Sequence, residues 1–242
     1  MISEPVAVAE SPIRRLPGDG WLALLGGGEL TFGETVDGDA AWLGKTPTGT
    51  VGFVPAASGS EDYGRHFGIY LDEFFERRAE TIPIYRVRDA RRGRNVQRIA
   101  ESAAVYLGGG VVDQLLEALA DTPCLDALGA KLRDGGTVAA ITASAQALGE
   151  VARTVFGGKI VDGFGWLPGG VVEPNFDPGH DRRLRQLLSH PRVRWGLALA
   201  AGAAVLLGPA GEVEVAGDVW LVDGQDGPLH LLSPVEPAPG EG

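Results

Sequence analysis

The sequence predicts an α/β fold, a three-layer sandwich in which a mainly parallel sheet lies between helices. Three observations predict it. Several short runs are apolar throughout, as strands buried on both faces must be. These runs alternate with stretches of helical period. The predicted strand ends, "LLGGGE", "VPAASGS", "YLGGGVVD" and "ITASAQ", are mostly small or glycine-rich, and sites in open parallel sheets lie at the carboxyl ends of strands. Glycine at such a junction also serves plain turn chemistry, so these ends are consistent with a site without proving one.

The elements follow in order. "GWLALLGGG" reads as a buried strand ending in a glycine-rich turn, and "GTVGFVPAAS" as a second. "YGRHFGIYLDEFFERRA" puts apolar residues at 67, 70, 71, 74 and 75, the spacing of an amphipathic helix. "TIPIYRV" is strand-like, "RNVQRIAESA" a short helix, and "AVYLGGG" a third buried strand. "VVDQLLEALADTPCLDALGAKLRDGG" reads as helical and stops at Gly135-Gly136. "TVAAITA" is a strand and "SAQALGEVARTVF" a helix. "VDGFGWLPGGVVEPNF", "EVEVAGDVWLVD" and "GPLHLLSP" look like strands. "GLALAAGAAVLLG" looks like two strands joined by a turn, and a basic helix, "DRRLRQLLSH", interrupts the series.

A chain of 242 residues with 44% hydrophobic residues can build a substantial core. We expect one domain over residues 18–233, a flexible segment over 1–17, and a disordered Pro-rich acidic tail over 234–242. The net charge of −11 argues against nucleic acid or an anionic membrane surface as partner. No basic start followed by an apolar run marks a secretory signal, and "WGLALAAGAAVLLG" is too short for a membrane span of ~20 residues. These features place the protein in the cytoplasm. The single cysteine, Cys124, lies in a helix-like apolar stretch and reads as a buried, inert thiol.

Most candidate motifs are weak. "GGGE" at 26–29 lacks the spacing and lysine of a phosphate loop. The histidines at 66, 180, 190 and 230 form no ligand cluster, so neither a metal nor another cofactor is expected. The arginines of "RRGRNVQR" and of segment 181–194 could bind carboxylates or phosphates, or form a solvated face or an interface. Ser144 is the strongest candidate. It sits where a strand gives way to a helix, the place of a nucleophile elbow, but Thr142 and Gln146 occupy the usual G-x-S-x-G glycine positions. A serine beginning a helix is also an ordinary N-cap.

Taken together, six segments in order resemble the cyanophycinase and aspartyl dipeptidase (peptidase E) family of serine peptidases. They are "LLGGGE", "VPAASGSEDYGRHF", "AVYLGGG" with "LLEAL", "GGTVAAITASAQALGE", "GFGWLPGGVVEPNFDPGHDRRLRQLL" and "GLALAAGAAVLL". The resemblance implies a class I glutamine amidotransferase-like fold and a homodimer. It places the nucleophile on Ser144, with backbone N–H donors from Gly110 and Ala145 if the oxyanion hole survives. The general-base histidine falls on Asn175, and the acidic pair on Ala200 and Ala201. The threonine after that pair falls on Ala203, and the Asp-Gln of the turn after Gly109-Gly110 on Val111 and Val112.

Neutral asparagine takes no proton from a serine near neutral pH. The first expectation is therefore an impaired or inactive homologue acting by binding or assembly. Its pocket is expected to be lined by Ser144, Gly109, Gly110, Ala145, Asn175 and small apolar residues. The alternative is an active hydrolase of small acidic peptides or amides, using Ser144 with His180 or His66 as base. A third class is a structural or partner-binding protein with no pocket. Arginines of segment 181–194 aimed at the pocket would favour the acidic-substrate hydrolase.

Overall fold

Residues 11–232 are described by the structure, a computed structural model. Five strands run parallel at its centre. They are β1 (Trp21–Leu25), β2 (Val51–Val54), β3 (Ala79–Thr81), β4 (Ala104–Leu107) and β5 (Thr137–Ile141), in the spatial order β1-β5-β4-β2-β3. Beyond β1 the sheet continues with β10 (Ala204–Leu207) and β11 (Val213–Ala216), each antiparallel to its neighbour. The predicted mainly parallel sheet between helices is thus present.

The strand pleat divides the core in two. Leu22, Leu24, Val105, Leu107, Val138 and Ala140 face α4 (Gly93–Glu101), α5 (Val112–Leu119) and α6 (Pro123–Arg133), which contribute Ile99, Leu115, Leu119, Leu128 and Leu132. Ala23, Leu25, Phe53, Tyr106, Ala139 and Ile141 face α1 (Val36–Gly44) and α2 (Glu61–Phe75). The predicted α2 stripe buries Phe67, Tyr70 and Leu71 there. Each large apolar side chain fully buried contributes about 1.5–3 kcal/mol.

A second sheet of four strands, in the order β13-β12-β9-β8, packs beside the first. It comprises β8 (Gly170–Glu173), β9 (Trp195–Leu199), β12 (Val219–Asp223) and β13 (His230–Leu232). Helix α8 (Arg182–Leu188) covers it with Leu184, Leu187 and Leu188. A hairpin of β6 (Val151–Arg153) and β7 (Ile160–Asp162) stands alongside.

The structure departs from the sequence expectations at several places. "GLALAAGAAVLLG" does form two strands, but β9 belongs to the four-stranded sheet and β10 to the seven-stranded one. "TIPIYRV" pairs with β2 only through Thr81 and the Ile82 N–H, which donates to Phe53 O at 2.8 Å, and Pro83, with no N–H to give, ends the ladder. A one-turn helix, α3 (Val87–Ala90), follows. The long helix predicted over 111–136 is two helices. Asp121 turns the chain at φ 53°, Thr122 Oγ1 accepts from the Leu125 N–H, and Pro123 starts α6. The helix predicted from Ser144 to Phe156 lasts only through Ala147, as α7 (Ala143–Ala147), before the chain enters β6. Helix α1 was not foreseen, since "VDGDAAWLG" carries two glycines and two aspartates.

Residues 11–17, expected to be loose with the rest of 1–17, are tied to the domain. Arg15 donates to the carbonyls of Gly208, Gly18 and Gly20, and the Leu16 N–H donates to Trp166 O. Residues 1–10 and the tail over 234–242 lie outside the described residues.

Candidate active site

The parallel register aligns the strand exits. Leu25 pairs with Ile141, Ala140 with Leu107, and Leu107 with Val54. Gly26, Thr142, Gly108 and Pro55 therefore leave the sheet side by side, at the carboxyl ends where the sequence placed the site.

Thr142 makes the turn from β5 into α7. Its φ is 50° and its ψ is −116°, and its N–H donates to Leu25 O at 3.0 Å. It is partly exposed, while residues 143–149 are buried. Its hydroxyl does not cap the helix. A Cβ on Gly109 would lie 2.4 Å from Thr142 Oγ1, so the hydroxyl faces the gap that this glycine leaves. The Gly109 N–H donates to the Tyr63 hydroxyl at 3.4 Å. Burial pushes the Tyr63 phenol above its ordinary value. Tyr63 belongs to the "VPAASGSEDYGRHF" segment, in which no sequence signal marks it for a role.

Ser144, expected at the turn, lies beyond it. The Gln146 N–H donates to Thr142 O at 3.0 Å, so the first helical turn has begun at Thr142. Ser144 is 0% exposed, and its hydroxyl donates to Gly108 O at 2.6 Å. Ala145 beside it is equally buried. Gln146, at the second of the usual glycine positions, is buried. Its side chain turns inward, donating to Glu173 Oε2 at 3.3 Å and accepting from the Arg153 N–H at 3.1 Å. Burial pushes the Glu173 carboxyl up, against the opposing charge of Arg153.

Asn175 does reach the site. It is exposed, at φ 49°, and its N–H donates to Gly26 O at 2.8 Å. A Cβ on Gly27 would lie 2.2 Å from Asn175 Oδ1. The turn of Ala200–Ala203 closes the other side: Gly26 N donates to Ala203 O and Gly202 N to Gly27 O, both at 2.8 Å. Gly110 is packed so tightly on the chain after β2 that a Cβ would lie 2.3 Å from Ala57 O. Val111 N also donates to Ala57 O, and Val112 begins α5.

The histidines serve elsewhere. His180 is exposed and paired through Nδ1 with Asp177 Oδ2 at 2.7 Å, and His66 is exposed on α2. The His180 hydrogen bond holds the Asp177 carboxyl below the usual carboxylate range. Neither imidazole hydrogen-bonds Ser144.

The arginines of 181–194 are largely engaged in structure. Arg185 pairs with Asp181 and donates to Gln225 O and Gly227 O. Arg192 pairs with Asp162 and Glu150, and Arg194 donates to Pro191 O and Val193 O. At the β1 exit the charges are carboxylates: the Glu29 N–H donates to Glu34 Oε2, and Glu34 lies against Gly28. Among the described residues, no three His, Cys, Asp or Glu side chains group as metal ligands, and no helix is long and apolar enough to cross a membrane.

Residues 22–207 match the family model of peptidase family S51. A crystal structure of a peptidase from an acI-B1 Actinobacterium is similar at TM-score 0.72 and 22% identity, covering 92% of this chain and 97% of that one. A candidate peptidase E protein from Listeria monocytogenes EGD-e is similar at TM-score 0.57 and 14% identity, covering 81% of this chain and 98% of that one. At these identities the two structures speak for the fold. No curated protein matches the chain.

Proposed function

The chain belongs to peptidase family S51, and on that premise we propose that it is a peptidase E-like protein that binds its ligand without cleaving it. The observation that carries this reading is Asn175, seated over Gly27 at the strand exits where the resemblance puts the general base. An amide accepts no proton from a hydroxyl near neutral pH. The places of the acidic pair are the methyl groups of Ala200 and Ala201. Ser144 adds to the reading, because its hydroxyl is buried and engaged by a carbonyl. Removing the base from a serine hydrolase lowers kcat by roughly 10⁴–10⁶.

The ligand class follows the scaffold, a small peptide or amide. The engaged arginines give an acidic preference little support. The homodimer and the cytoplasmic setting are part of the same proposal and rest on the resemblance and the sequence.

The test is labelling with a fluorophosphonate, read by intact mass on the wild type and on Ser144→Ala. No added mass is expected from either, under conditions where an active relative labels fully. Added mass that disappears in Ser144→Ala would overturn the reading and restore the Ser144 hydrolase, with His180 or His66 to be tested as its base.

A further inference from the structure

We propose that Thr142, not Ser144, is the residue this scaffold presents to its ligand, and that Ser144 is a structural hydroxyl two residues behind it. The inference deepens the function proposed above and rests on it only for the location of the site.

The backbone makes the first part of the case. Among the described residues, four that are not glycine have positive φ: Glu76, Asp121, Thr142 and Asn175. Glu76 sits near the left-handed helical well, with ψ 35°. Thr142, at φ 50° and ψ −116°, lies outside that well and is β-branched, a combination that L residues adopt only under constraint. Such conformations persist when the surroundings over-determine them, and they cluster at functional sites. In a strand–turn–helix elbow, the strained residue is the one whose side chain is thrown forward into the site.

The side-chain environments make the second part. Thr142 Oγ1 faces the space left by Gly109, and the residue is partly exposed. Ser144 has no exposure, and its single hydroxyl proton is given to Gly108 O. The two hydroxyls thus have opposite roles. One faces the gap at Gly109 among the strand exits, and the other ties the start of α7 to the end of β4.

The chain offers a quiet background for the test. Cys124 is buried, and burial pushes its thiol up to about 11. Thr142→Cys and Ser144→Cys are each treated with iodoacetamide and followed by intact mass. The thiol introduced at 142 is expected to alkylate at least ~10-fold faster than the one at 144. Adding Gly109→Ala to the first variant is expected to slow it, because the new methyl group occupies the space that Oγ1 now faces. Equal rates, or a faster thiol at 144, would overturn the proposal.

A second measurement reads chemistry rather than access. Thr142→Ser combined with Asn175→His is treated with a fluorophosphonate, and the adduct is mapped by peptide mass. The imidazole introduced at 175 takes the hydroxyl proton, the oxygen bonds to phosphorus, and fluoride leaves. An adduct at position 142 supports the proposal. An adduct at Ser144, or none from a folded variant, overturns it. The wild-type experiment stays separable: an adduct on wild-type Thr142 would sink the non-cleaving reading and keep this one, and an adduct on Ser144 would sink both.

Discussion

Thr142 and Asn175 donate their backbone N–H groups to consecutive carbonyls, those of Leu25 and Gly26, at 3.0 and 2.8 Å. Both have positive φ, and neither is glycine. The end of β1 therefore holds a hydroxyl-bearing residue and an amide-bearing residue in fixed, strained conformations, one from β5 and one from the chain after β8. Gly27 lies against the Asn175 side chain and Gly26 against the Ala200 carbonyl, and only glycine leaves room at either place. In the function proposed above, these two residues frame the site and Asn175 stands where a proton acceptor would be needed.

The strain at Thr142 should be measurable as stability. Positive φ at a β-branched residue costs about 1–3 kcal/mol, and glycine's extra unfolded-state entropy offsets part of the relief. Thr142→Gly is expected to stabilise the protein by about 1 kcal/mol, a rise of roughly 2–4 °C in Tm for a domain of this size. Thermal and urea melts of the two proteins check it. A clear loss of stability would mean that the Thr142 side chain contributes more packing than its exposure indicates.

Ser144→Ala is expected to do the opposite. It removes the donor to Gly108 O in a fully buried place and leaves that carbonyl short of a partner. The expected loss is about 1–3 kcal/mol. Urea titrations at constant m-value decide it. A neutral result would mean that the 2.6 Å bond does not anchor α7 to β4.

The pattern of what was legible follows from these contacts. Strand and helix identity is written in periodicity, so β1, β2, β4, β5 and α2 could be read directly. The glycines pointed to the strand exits, and the structure seats Asn175 there, over Gly27. The choice between Thr142 and Ser144 was not legible, because "ITASAQ" offers two hydroxyls two residues apart. Only the backbone angles and burial separate them. The early end of α7 was also hidden. Residues 148–153 are held by partners distant in sequence, such as Glu150 N donating to Gly170 O and β6 pairing with β7.

Gly27→Ala is expected to destabilise by about 1–3 kcal/mol, since Gly27 has φ 139° and its new Cβ would lie 2.2 Å from Asn175 Oδ1. Asn175→Ala should remove the clash but not the backbone strain. The double variant is then expected to recover part of the loss, with a coupling of roughly 0.5–3 kcal/mol. A double-mutant cycle by urea unfolding measures it. Strict additivity would show that the Asn175 side chain does not rest on Gly27.

Asp39 predicts a pH dependence. It is fully buried on α1, and it accepts from Trp42 Nε1 and from the Tyr70 hydroxyl, each at 2.7 Å. Burial pushes its carboxyl above the ordinary range, and the hydrogen bonds from Trp42, Thr35 and Tyr70 oppose this less strongly. The folded state therefore binds the proton more tightly than the unfolded chain. Its contribution is full below the ordinary carboxylate value and is lost as pH rises through the folded pKa. Asp39→Asn removes that slope while keeping the bonds. The amide oxygen can accept from Trp42, and the amide nitrogen can donate to Tyr70, whose proton then turns to Thr35 Oγ1, 3.1 Å away. The variant is expected to be more stable than the wild type by about 1 kcal/mol at neutral pH, because a buried charge is replaced by a neutral isostere. The difference should close as pH falls into the carboxylate range. Urea titrations across that range, run on both proteins, test it. A variant much weaker at neutral pH would mean that the ionised carboxylate is held by its donors and that burial is not the dominant influence.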